Sequence, residues 1–194
     1  MRLSRRLSTG LVIGIIGSFG LWELFQGGWI HMKALLAQRL LRQAWEETIE
    51  RRTTVKPWPW ADTVPIARLI VPRLRIDEIV LAGANGRTLA FGPAYHEGSA
   101  RPGMIGVSVI TGHRDTHFGF LRRLEPGDRI NVQTAQGALV DYRVLGSSVV
   151  DGRLPFHVSE EDGHTLLLVT CYPFDALVPG GPLRYVVMAE RTER

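Results

Sequence analysis

The stretch Thr165-Leu166-Leu167-Leu168-Val169-Thr170-Cys171-Tyr172-Pro173 reads as a short apolar strand that delivers a single cysteine to its end, where a proline stops it. A second stretch, Val109-Ile110-Thr111-Gly112-His113-Arg114-Asp115, does the same for a histidine. Working outward, strand patterns recur at residues 67–71, 79–82, 104–111, 129–134, 139–144, 147–150, 165–170 and 184–189. Turn signals separate them, notably Ala84-Asn85-Gly86, Pro126-Gly127-Asp128 and Gln136-Gly137. Many short strands without alternating long helices imply a mainly β fold, a closed or nearly closed barrel. There is no internal repeat and no low-complexity tract.

The start of the chain has a different character. Arg2, Arg5 and Arg6 precede an uncharged, glycine-rich apolar run over residues 7–22, and residues 7–25 span about 28 Å as a helix, marginally enough for a bilayer. No small-x-small cleavage site precedes Trp22 and Trp29, so an uncleaved signal anchor is favoured over a removed leader. With the arginine cluster held inside, the rest of the chain lies outside the cytoplasm. Residues 30–52 have helical period and propensity, an amphipathic juxtamembrane helix or spacer, and Lys56-Pro57-Trp58-Pro59-Trp60 then breaks it. The expected organisation is an anchor over 1–29, a juxtamembrane helix and linker over 30–60, and a folded domain over 61–194.

The net charge of +4 points superficially to nucleic acid. Residues 1–60 hold nine Lys/Arg against four Asp/Glu, whereas residues 61–194 hold 14 against 15. The domain is not basic, which argues against a phosphate-binding surface and assigns the excess to a membrane flank. No nucleic-acid partner is expected. Cys171 is the only cysteine, which excludes an internal disulfide framework and a cysteine-based zinc site. His31, His96, His117, His157 and His164 show no metal-ligand spacing, so neither metal nor cofactor is expected.

Taken alone, Cys171 is either core filler or chemistry, His113 is either a turn residue or a proton carrier, and Arg184 is either a surface ion pair or a hydrogen-bond donor. If the barrel gathers these three strand ends, they supply a nucleophile, an acid/base and a cation. Thr111-Gly112-His113-Arg114-Asp115-Thr116, then Thr165 through Phe174, then Pro182-Leu183-Arg184-Tyr185, in that order, resemble the sortases, and most closely the class D-like and Gram-negative branch. The resemblance covers roughly residues 66–190.

It implies an eight-stranded sortase-type barrel with short helices behind a transmembrane helix, and a transpeptidation at an LPXTG-like sorting signal, with Cys171, His113 and Arg184 catalytic. Thr170 and Tyr172 flank the nucleophile and are candidates to line a substrate groove. Asp115 either orients a neighbouring group or pairs with Arg114. Residues 174–182, with Gly180-Gly181, read either as a loop that closes on substrate or as an ordinary turn. The implied partners are a secreted protein with a C-terminal sorting signal and an amine acceptor in the cell envelope, met at the inner (cell) membrane by an extracytoplasmic domain. Two alternatives belong to other classes: a different Cys/His acyl transferase acting on peptidoglycan, and a non-catalytic scaffold that binds an envelope peptide.

Overall fold

The computed structural model describes residues 2–154, 163–176, 178 and 180–192, apart from the side chains of residues 2–16, 24, 27, 28, 30 and 31. Residues 1–39 form one compact unit and residues 40–194 another. The described residues of the first are all helical, part of α1 (Arg2–Arg51), which runs without a break through Trp29. Among the described residues no helix is long and apolar enough to cross a membrane. Most of the apolar run expected to act as an anchor lies outside the described side chains.

In the second unit eight strands close into a barrel: β1 (Pro65–Val71), β2 (Ile76–Ala82), β3 (Ala94–Tyr95), β4 (Gly106–Thr111), β5 (Arg129–Thr134), β6 (Leu139–Asp151), β7 (His164–Cys171) and β8 (Leu183–Arg191). Their order around the barrel is β1-β2-β3-β4-β7-β8-β6-β5. Pairs β2–β3 and β4–β7 are parallel and the other six antiparallel. Period-two alternation drives closure: in β1 Ala67, Leu69 and Val71 are buried and the residues between them only half-buried. Leu69, Ile110, Ile130, Leu166, Leu168 and Val187 meet in the interior, and Phe118 with Leu121 packs onto the same core. Burying this apolar surface is the main favourable contribution to the fold.

The expected strand count holds, with a different partition. Residues 139–144 and 147–150 form one strand, because a bulge between Val144 and Gly146 absorbs the interruption while pairing with β8 continues. β3 is two residues long and follows Pro93, too short to carry a period. A four-residue helix, α2 (Gly86–Leu89), is capped by Asn85, whose Oδ1 accepts from the backbone N of Arg87 and Thr88.

Residues 40–60 pack against the barrel. Leu41 and Trp45 are buried in a second apolar cluster with Ile79 and Leu81 of β2, and Trp58 and Phe91 join it edge to face. The Trp45 indole N–H donates to Gln133 Oε1 at 3.4 Å. The helix ends where Arg52 adopts a left-handed φ of 51°, and the Val55 N–H is taken up by Thr48 Oγ1 at 3.1 Å.

Candidate active site

Three neighbouring strands, β4, β7 and β8, position the candidate residues. Cys171 is the last residue of β7 and lies opposite Arg184 near the start of β8. On the other flank the parallel ladder pairs Thr111 with Val169. The Gly112 N–H then donates to Val169 O at 3.1 Å, and Thr170 Oγ1 donates to Gly112 O at 2.7 Å. The next residues of the two segments are His113 and Cys171. Register alone therefore sets the order His113, Cys171, Arg184 across one end of the barrel. Cys171 is a half-buried free thiol, His113 is exposed and Arg184 is half-buried.

Local packing fixes the histidine segment. A Cβ at Gly112 would stand 2.6 Å from Cγ of the fully buried Phe118, so only glycine lets the chain pass there. His113 O accepts from the Phe118 N–H at 2.9 Å and from the Thr116 N–H at 3.4 Å, which curls the loop back beneath the imidazole-bearing residue. Thr170, expected at a groove, is 2% exposed, so its hydroxyl ties β7 to β4 instead of meeting a ligand. Tyr172 is half-buried; its ring stacks on Tyr185 with centroids 6.2 Å apart, and Phe174 meets both edge to face.

The arginine that spacing could not single out is Arg114. It is 8% exposed, with Nη1 donating to Pro173 O at 2.6 Å and Nη2 to Ala176 O at 2.7 Å. Its Nε donates to Asp115 Oδ1 at 3.2 Å, so Asp115, 69% exposed, pairs with Arg114. One guanidinium thus staples the loop after the cysteine to the loop carrying the histidine. The only sequence signal was a planar, five-donor side chain beside His113, and nothing near it in sequence names the carbonyls it reaches.

Arg184 is held from its own side of the site. Its Nη1 donates to Gly181 O at 2.6 Å and to Leu183 O at 2.9 Å. A Cβ at Gly152 would come within 3.0 Å of Arg184 Cγ, so the glycine gives that side chain its berth. Asp151, beside it on β6, is pulled down to about 2, first by hydrogen bonds from the Arg153 side chain and backbone and more weakly by the field of Arg184. Of the loop over residues 174–182, residues 177 and 179 lie outside the described residues, as does His157. Among the described residues no group of three or more His, Cys, Asp or Glu is placed to hold a metal ion. Chemically the trio offers a thiol, an imidazole and a guanidinium along one edge, a nucleophile, a proton carrier and a cationic hydrogen-bond donor of the kinds that acyl transfer through a covalent intermediate can use.

A sortase domain family model matches residues 69–192. Sortase D of Bacillus subtilis (strain 168) is 28% identical over 124 residues, 63% of this chain and 62% of that protein, so the chain matches under two thirds of its relative's length. Among solved structures, sortase A from Corynebacterium diphtheriae superposes with a TM-score of 0.60 at 25% identity, covering 70% of this chain and 64% of that one. Sortase C-1 from Actinomyces oris gives a TM-score of 0.55 at 27% identity, covering 67% and 74% respectively.

Proposed function

Because the chain belongs to the sortase family, we propose that it is a membrane-anchored cysteine transpeptidase of the class D-like and Gram-negative branch, cutting an LPXTG-like sorting signal and passing the acyl group to an envelope amine. The supporting observation is the register that sets Cys171 opposite Arg184 and brings the His113 segment alongside Cys171.

In this reading the Cys171 thiolate attacks the scissile carbonyl and the C–N bond breaks, leaving a thioester. His113, as imidazolium, protonates the departing amine and later takes a proton from the incoming one. Arg184 donates to the oxyanion or to the substrate backbone; with Nη1 already engaged by two carbonyls, Nε and Nη2 take that part. Thr170, Arg114 and Gly112 hold the reacting residues in place, and Tyr172, with Phe174 and Tyr185, forms an apolar platform beside the thiol.

The anchor is residues 7–25, inserted with the arginine cluster inside, which places the domain on the extracytoplasmic side of the inner (cell) membrane. Phe19, Leu21, Trp22, Phe25 and Trp29 are all at least half exposed on that helix, apolar surface that lipid would cover at lower free energy than water.

The test uses the full chain in detergent with a panel of LPXTG-type peptides and an added amine. Intact mass follows the thioester and chromatography follows the ligated product. A thioester and a ligated product that disappear in Cys171→Ala support the transpeptidase. No adduct with any peptide, from a folded domain whose Cys171 resists thiol labelling, refutes it and favours the peptide-binding scaffold.

A further inference from the structure

A cleft of about 530 Å³ adjoins the candidate site without including any of its three reacting residues. One wall is the loop that follows His113, another is Glu78 with Ile76 on β2, and Phe174 from the loop after Cys171 closes a third side. The cleft therefore touches both loops that frame the thiol, on the β4 side of β7. Arg184, on β8, stands on the opposite side.

The charges in the cleft are unevenly satisfied. Glu78 Oε2 is bonded to His117 Nδ1 at 3.0 Å, and Asp115 Oδ1 accepts from Arg114 Nε at 3.2 Å. Both carboxylates are thus engaged by the protein itself. Arg122 and Arg123, in the short 3-10 helix Gly119–Arg123, are exposed, and neither guanidinium has an ion-pair partner among the described residues. Their backbone is fixed: Arg73, bidentate on Asp128, donates Nη2 to Arg123 O at 2.5 Å. Arg122 and Arg123 both line the cleft from this turn and offer it positive charge that no carboxylate of the described residues neutralises.

We propose that this cleft receives the acceptor, and that Arg122 and Arg123 select an amine whose molecule carries a carboxylate. The inference rests on the transpeptidase reading and adds the chemical class of its second substrate. The acceptor nitrogen attacks the thioester carbonyl, the C–N bond forms, the C–S bond breaks, the sulfur leaves as the Cys171 thiolate, and the amine proton passes to His113. An acceptor on the β4 side brings its nitrogen up beside His113, while Arg184 holds the acyl group from the other side.

The experiment lets the acyl-enzyme of the full chain partition between glycylglycine and glycylglycinamide, which present the same amine and differ at the carboxylate. Both attack one thioester, so the product ratio is independent of acylation rate and of the folded fraction. The wild type is expected to favour glycylglycine about tenfold at low salt, the range of a charge-assisted hydrogen bond at an exposed site. The ratio falls toward one in Arg122→Gln and in Arg123→Gln, and at high salt. Equal use of the two dipeptides by the wild type, a preference that survives both substitutions, or hydrolysis with neither dipeptide incorporated overturns the acceptor assignment and leaves the acylation reading standing. Failure to form any thioester removes that reading and this inference together.

Discussion

Arg114 offers the sharpest test of how the site is held. In Arg114→Met the apolar stem survives and the fork is lost, leaving Pro173 O and Ala176 O without the donors that reach them at 2.6 and 2.7 Å. A hydrogen bond to a charged group contributes about 1.5–3 kcal/mol, so two give roughly 3–6 kcal/mol. Water can re-enter at a loop, which favours the lower end, about 3 kcal/mol. For a domain of this size that corresponds to a melting shift of roughly 6–12 °C, small enough against a typical stability of about 5–15 kcal/mol for the barrel to remain folded. Thermal unfolding gives the global cost, and hydrogen exchange at Phe174, Asp175 and Ala176 reports whether the loop itself has been released. Arg114→Lys, with one ammonium for two carbonyls, should fall between. An Arg114→Met variant within about 1 kcal/mol of wild type and with unchanged loop exchange would refute the staple.

Other perturbations probe the frame. The bidentate Arg68–Asp77 pair lowers the Asp77 pKa, with Arg42 a minor contributor, so its stabilisation is present above the ordinary carboxylate value of 3.8 and is lost as pH falls through the lowered one. Asp77→Asn should therefore cost about 0.5–1 kcal/mol at neutral pH and nothing in strong acid, and a pH-independent difference in unfolding free energy would contradict this. Gly112→Ala, forced against the Phe118 ring, should lose about 1–3 kcal/mol and slow thioester formation by displacing His113; a variant with wild-type melting and wild-type acylation would show that the ring gives way. A fragment of residues 40–194 should melt well above one of residues 61–194, which lacks Leu41 and Trp45 and bares Ile79 and Leu81; the loss of Trp45 alone is worth about 3–5 kcal/mol, and equal melting would place those residues outside the folding unit.

What the sequence made legible follows period and order. Alternation in Ala67, Leu69 and Val71 marked β1, and the ordered segments around His113, Cys171 and Arg184 pointed to three strand ends, whose adjacency only the register supplies. What escaped depends on contacts distant in the chain. Val144 to Gly146 reads as a break because a bulge and a turn look alike in one strand, and only the partner β8 distinguishes them. Thr170 looked like a groove residue because it neighbours the cysteine, yet strand alternation turns it inward, onto Gly112. Whether residues 40–60 pack on the domain or lie along lipid is open in the sequence, because the surface that covers them comes from β2 and from Phe91. The continuous helix through Trp29 also replaces the two helical segments expected there.

The bond from Thr170 to Gly112 spans 58 residues of chain. Pairing at such separation carries a loop-closure cost, because a long loop must lose its freedom before any contact rewards it. Until that parallel seam between β4 and β7 shuts, Cys171 has no imidazole segment at its side and no Arg114 gripping the loop beyond it. The seam therefore works as an assembly interlock: a nascent or partly unfolded chain carries Cys171, His113 and Arg184, and only the finished barrel brings their segments side by side.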